Sequence, residues 1–309
     1  MDKGGPGITA EIGEGKNMQL RLLDVPVDGG KLRVLQWGTG RRVAVAVHGI
    51  TASAMAWQAV ARQMPPGWTL AAPDLRGRGS SAHLPGPYGL ERHAADVTAV
   101  LRHFGGSGVR PVLAGHSMGA YVALLVRDAR PGLSRRLVLV DGGLPLPLPD
   151  GVDPEAALEA SIGPAITRLR QTFASTEAYL DFWRAHPALA EHWSADVEAY
   201  ARYDLTGEPG SMRSRVAEAT LSPDSRDVLA DKPFADALSR LKQPTPLLTA
   251  SAGFFGEPPG LLPPELVAVW AERVPVLRPQ RIPDVNHYTI LFDRQAAAAI
   301  ARAITTVAV

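Results

Sequence analysis

The run Pro111-Val112-Leu113-Ala114-Gly115-His116-Ser117-Met118-Gly119-Ala120-Tyr121-Val122-Ala123-Leu124-Leu125 sets a G-x-S-x-G core between two different hydrophobic rhythms. Val112–Ala114 is short and continuously apolar, as in a strand buried on both faces. Met118–Ala129 repeats its apolar residues at helical spacing. A serine caught between them sits on a tight strand-to-helix turn with a strained backbone, where side chains at the flanking glycines would collide with neighbouring chain. The helix N-terminus beneath it favours developing negative charge. G-x-S-x-G alone carries little weight in a chain with 30 glycines. With a strand before it and a helix after it, the motif marks Ser117 as a candidate nucleophile.

The same alternation extends outward. Val43–Val47, Leu70–Ala72 and Leu137–Val140 are further apolar runs, and Ala56–Met64 and Leu90–Phe104 have helical spacing. Leu20–Val25 and Leu32–Trp37 flank Asp28-Gly29-Gly30, which reads as a hairpin turn. Such a pattern predicts an α/β fold with a doubly wound, mostly parallel sheet. The rhythm stops near Gly142, where Gly142–Pro154 is a proline-rich loop. Helical stretches follow at Glu155–Phe173, Thr176–His186, Leu189–Tyr203, Ser211–Thr220 and Ser225–Ala230. Thr245–Ala250, Pro264–Arg273, Val276–Ile282 and Arg294–Ala308 then resume the β-α order. The expected organisation is a flexible N-terminus over residues 1–17, a core of 18–142 and 233–309, and an inserted all-helical cap over 143–232.

His48-Gly49-Ile50-Thr51 directly follows the Val43–Val47 run. Acyl transfer through a serine needs backbone N–H groups aimed at the developing oxyanion. The Ile50 N–H on this loop and the N–H of Met118, the residue after the nucleophile, are the candidate pair.

Together these segments, with Asp74-Leu75-Arg76-Gly77-Arg78-Gly79-Ser80-Ser81 and Asn286-His287, resemble the α/β-hydrolase superfamily in its serine esterase and lipase form with a helical lid. The matches keep the family's order and span most of the chain from about Leu20. The resemblance implies that His287, on the loop before the last helix, is the general base, since the family's chain order is serine, acid, histidine. It leaves two positions for the acid. The usual one follows the Thr245–Ala250 run, where Gly256 stands at the expected place and Glu257 beside it. The other is Asp141 at the end of Leu137–Val140, where polyketide-type thioesterases and some lactone hydrolases carry theirs. Asp141 is taken first and Glu257 stays open as the alternative. The implied activity is cleavage of a carboxylic ester or lactone bearing a hydrophobic group. Thioester, amide and acyl-transfer chemistry run on the same triad, and a non-catalytic small-molecule receptor that keeps the pocket is the rival from another class. Serine at the nucleophile position argues against haloalkane dehalogenases and epoxide hydrolases, which need aspartate there.

Composition narrows the rest. Thirty-two basic and 31 acidic residues give a net charge of +1, which offers no electrostatic footprint for nucleic acid. The absence of cysteine excludes disulfides, thiolate nucleophiles and cysteine-bound zinc. Neither a signal-peptide core near the start nor an apolar run of about 20 residues is visible, so a cytoplasmic protein with no membrane span is expected. Gly77-Arg78-Gly79 lacks the lysine of a P-loop, and Gly105-Gly106-Ser107-Gly108 precedes a strand, so no cofactor is expected. No metal-ligand spacing occurs. The insert carries Phe173, Tyr179, Phe182, Trp183, Trp193, Tyr200 and Tyr203. Most of these are expected to form the lid's own core, with some facing an apolar cleft for a small hydrophobic substrate.

Overall fold

In the computed structural model, which describes residues 19–106, 108–146, 151–153, 156, 163 and 165–306, the apolar runs pair into one sheet. In chain order the strands are β1 (Leu20–Val27), β2 (Gly30–Trp37), β3 (Arg42–Val47), β4 (Trp68–Pro73), β5 (Val112–His116), β6 (Arg136–Val140), β7 (Leu205–Thr206), β8 (Arg213–Ser214), β9 (Thr245–Ala250) and β10 (Leu277–Ile282). Eight of them form the main sheet in the order β1-β2-β4-β3-β5-β6-β9-β10. Pairing is antiparallel for β1 with β2 and β2 with β4, and parallel from β4 through to β10. Val27 pairs with Gly30, so Asp28-Gly29 forms the hairpin turn, with Gly29 at φ +84°.

Alternation along each central strand sends side chains to two apolar layers. Ala44 and Ala46 pack on the face that holds Val60 and Ile300, whereas Val45 and Val47 pack with Val97, Val122 and Val267. Helices therefore cover both faces, which is why the central strands are apolar at consecutive positions. Register aligns the strand ends. Val47 pairs with Gly115, His116 with Val140, Val140 with Leu248, and Ala250 with Ile282. The loops that follow β3, β5, β6, β9 and β10 consequently open at one carboxyl edge, where ligands bind in sheets of this kind.

The insert between β6 and β9 is mainly helical, and serines cap two of its helices. Ser175 accepts from the Ala178 N–H before the helix Thr176–Arg184, and Ser194 accepts from the Val197 N–H before Ala195–Asp204. The expected helix over Leu189–Tyr203 is therefore a 3-10 turn, Ala190–His192, followed by a new helix after the Ser194 cap. The insert also departs from all-helical. Where Ser211–Thr220 read as helix, β7 and β8 form a short antiparallel ladder, and Phe173 bridges to Met212. Gly207 at φ +103° and Gly210 at φ +91° turn the chain back, and Ser214 Oγ donates to Asp204 at 2.8 Å, so a helix cannot continue there. The helix Asp231–Ser239 leaves the insert to pack against the core, with the Phe234 ring 4.7 Å from that of Tyr121. Residues 1–17 and much of the first part of the helix expected over Glu155–Phe173 lie outside the described residues; within its described part, 165–170 is helical.

Candidate active site

Ser117 joins β5 to the helix Met118–Ala129 with φ +54°, in the left-handed region that a serine rarely occupies. The residues two positions before and after it must be glycines. A Cβ on Gly115 would lie 2.1 Å from the Gly119 carbonyl oxygen, and one on Gly119 would lie 2.2 Å from that of Val47. The turn is pinned by the Ser117 N–H, which donates to the Val140 carbonyl at 3.0 Å. It leaves the serine 8% exposed on the wall of a pocket.

Asp141 ends β6 in the same unusual backbone region, at φ +44°, with no exposed surface. Each carboxylate oxygen has a partner. Oδ1 accepts from the Ala250 N–H at 3.0 Å, and Oδ2 accepts from His287 Nδ1 at 2.6 Å. A carboxylate can only accept from that nitrogen, so Nδ1 carries the proton and Nε2 keeps a lone pair in the neutral ring. His287 is 2% exposed, with Phe254 at 4.2 Å and His116 at 4.7 Å between ring centroids. Its loop is tied down by Asn286, which donates to the Ala188 carbonyl at 2.8 Å and accepts from the Tyr288 and Thr289 N–H groups.

The structure thus brings Ser117, His287 and Asp141 to one edge of the sheet. Among the described residues Ser117 Oγ makes no hydrogen bond to His287, although both line the same pocket. Glu257 does not join them. It is exposed on a turn closed by the Gly253 N–H and the Glu257 carbonyl at 2.9 Å, which turns its side chain outward.

The loop after β3 owes its shape to His48. The Leu75 N–H donates to His48 Nε2 at 3.0 Å, so the proton is on Nδ1, which donates to the Gly49 carbonyl at 2.8 Å. Burial pushes the His48 pKa down to about 3, so the ring stays neutral. The Gly49 carbonyl also accepts from the Ala52 N–H. In a trans peptide N–H and C=O point opposite ways, so fixing this carbonyl fixes the direction of the Ile50 N–H. Neither the Ile50 N–H nor the Met118 N–H has a hydrogen-bond partner among the described residues. The Met118 group is one of the unpaired donors at a helix start.

His116, inside the turn that carries Ser117, packs on His287. Its Nε2 donates to the His287 carbonyl at 2.9 Å, and burial holds its ring far below the usual pKa. The rest of the pocket wall is mostly apolar, with Ile50, Ala56, Phe254, Leu291 and Phe292 beside Thr51 and Tyr288, and no lysine or arginine among the described residues lines it. Of the insert's aromatic cluster only Tyr200 lines this wall. Tyr179 instead makes edge-to-face contacts with Phe173 and with Trp183 within the insert. About 30 Å³ is open to the centres of water-sized groups. Among the described residues no cluster of histidines and carboxylates could hold a metal ion, and no helix is long and apolar enough to cross a membrane.

Comparison with known proteins agrees with this architecture. A profile described as "Alpha/beta hydrolase family" matches residues 44–303. Lipase LipV of Mycobacterium tuberculosis is 33% identical over 116 residues, 37% of this chain and 43% of that protein. N-formylmaleamate deformylase of Pseudomonas putida is 36% identical over 120 residues, 38% of this chain and 44% of that protein. The chain thus aligns with less than half the length of these two curated relatives. The solved structure of an E-2-(acetamidomethylene)succinate hydrolase superposes with a TM-score of 0.75 at 18% identity, covering 93% of this chain and 99% of the other. That likeness is one of fold.

Proposed function

The chain belongs to the alpha/beta hydrolase family, and from that premise we propose that it is a serine hydrolase cleaving a small, uncharged carboxylic ester or lactone. In this reading His287 Nε2 takes the Ser117 proton as Oγ attacks the carbonyl carbon. The carbonyl π pair moves onto oxygen, facing the Ile50 and Met118 N–H groups. Collapse expels the alcohol with the proton from His287, and water, deprotonated by the same ring, releases the acid. Asp141 keeps the histidine tautomer and balances the imidazolium.

The observation that carries the reading is the 2.6 Å bond from His287 Nδ1 to Asp141 on the wall of the pocket that Ser117 lines. A small, mostly apolar cavity beside Ser117 supports a short apolar acyl group. Amide cleavage by the same groups is a second reading, favoured by the deformylase among the relatives. The test is turnover of p-nitrophenyl acetate, butyrate and octanoate together with labelling by a fluorophosphonate. Activity is expected to fall with chain length, and the probe to modify Ser117 in the wild type but not in His287→Ala. Labelling indifferent to His287→Ala would remove the histidine from its role. A matched acyl anilide turned over faster than the ester would favour the amide reading.

A further inference from the structure

Three successive carbonyls of the Gly49–Thr51 loop are held by side chains, two of them from distant parts of the chain. Gly49 is held by the His48 ring. The Ile50 carbonyl accepts from Arg78 Nε at 3.0 Å, and the Thr51 carbonyl accepts from Arg168 Nη2 at 2.9 Å. Rotation of the Ile50–Thr51 or the Thr51–Ala52 peptide plane would break a charge-assisted bond, and rotation of the second would also carry the Ala52 N–H away from the Gly49 carbonyl. Both arginines have side chains with no exposed surface. Buried guanidinium groups occur only when paired, and the partners here both belong to the insert. Arg78 donates to Asp224, and Arg168 pairs with Asp204 at 3.2 Å while lying 4.5 Å over the Trp183 ring. Asp204 is itself held by Tyr179 and Ser214.

Well-packed apolar side chains in place of such pairs often serve stability as well or better, so stability alone gives little reason for them. Directional bonds to two backbone carbonyls are what an apolar side chain could not supply. We propose that Arg168 and Arg78 are positioning residues that hold the Ile50 N–H toward the reacting carbonyl, so that the oxyanion hole is complete only with the insert seated. This rests on the reading of Ser117 as nucleophile and the Ile50 N–H as oxyanion donor.

Two ligands separate positioning from packing. An alkyl trifluoromethyl ketone adds to Ser117 Oγ, its carbonyl electron pair moving onto oxygen and the hydroxyl proton passing to His287. The secondary alcohol of the same skeleton fills the pocket without forming an oxyanion. In Arg168→Leu, kcat for p-nitrophenyl butyrate is expected to fall about 10- to 100-fold, a part of what losing a whole donor removes. KM should stay within about threefold, since ground-state binding is untouched. Affinity for the ketone should fall by the same factor as kcat, and affinity for the alcohol should hold. Arg78→Lys keeps a charge facing Asp224 but lacks the planar fork, and it should give the same split at smaller size even if Arg168→Leu does not fold. Wild-type kcat in these variants, or a loss shared equally by the alcohol, overturns the proposal while leaving the hydrolase reading intact. A wild type that prefers the ketone no more than Ser117→Ala does would instead sink the nucleophile reading, and this inference with it.

Discussion

The loops at the carboxyl edge of the sheet and the insert above them hold functional groups by different means. Among the described residues, the non-glycine residues with positive φ are Ser117, Asp141 and Asp284, all on those loops. Each such conformation costs about 1–3 kcal/mol and persists only where the surroundings over-determine it. Here the ladders of β5, β6 and β10 do so, because each strained residue follows a strand within two positions. The described residues of the insert show no such conformation; the insert buries Arg168 against Asp204 and supplies Asp224 to the buried Arg78 of the loop after β4, which also buries Arg76 against Asp96. A rigid sheet can fix a side chain through backbone strain. Short helices with little ladder to lean on fix theirs through charge.

That contrast can be broken or sharpened by experiment. The largest expected effect is at Ser117. Ser117→Ala should lower kcat on the order of 10⁶-fold while the urea midpoint stays near the wild-type value, because alanine accepts the same strained turn. A variant retaining measurable Ser117-independent turnover would break the site half of the comparison. Next comes Asp141→Asn, expected to lower kcat about 10⁴-fold by favouring the wrong tautomer of His287, with circular dichroism unchanged. A small loss there would leave the strained aspartate as a structural turn only.

The insert should answer in stability first. Asp224→Ala removes the partner of a buried arginine and is expected to destabilise by about 3–5 kcal/mol in urea unfolding. If it loses less than Ser117→Ala does, the insert is not held by its ion pairs.

Acid should act on both regions. Burial holds His48 at about 3 and His186 at about 4, and lowers His93 and His116 as well. Their unfolded pKa is about 6.5, so the stability they contribute is complete above that pH and is lost as pH falls below it. Asp74, raised to about 6 mainly by burial, has the opposite sign between about 6 and 4, since the fold favours its protonated form. His48 and His186 alone outweigh Asp74, and unfolding free energy should be lower at pH 5 than at pH 7 by at least about 2 kcal/mol. Equal stabilities at the two pH values would show that these rings are not held neutral. The smallest effect belongs to Glu257→Gln, which should change kcat by less than about twofold, the side chain being exposed. A crippled Glu257→Gln would make that carboxylate reach His287 in solution.

Ser117 was legible because its signal is local: two glycines, a strand before and a helix after, all within a dozen residues. The role proposed for His287 rests on family order, since nothing in its own loop distinguishes it from the seven other histidines. Asp141 came ahead of Glu257 only on the resemblance to other hydrolases, and the sequence left both open. Both follow strands that end at the same edge, and sequence cannot say which carboxylate turns inward. The structure separates them by the left-handed backbone at Asp141 and the Ala250 N–H that meets its second oxygen.

By itself, then, the sequence determined the alternation of strands and helices, the sharp turn at Ser117 and the presence of an insert. These depend on period, glycine and chain direction, which act between near neighbours. Tertiary structure alone decided that residues 141 and 287 meet, that the insert folds back as a short ladder at Gly207 and Gly210, and that Arg78 and Arg168 converge on adjacent carbonyls. Those contacts join groups up to 146 positions apart, and only strand register and the packing of the insert on the core bring such groups within hydrogen-bonding distance.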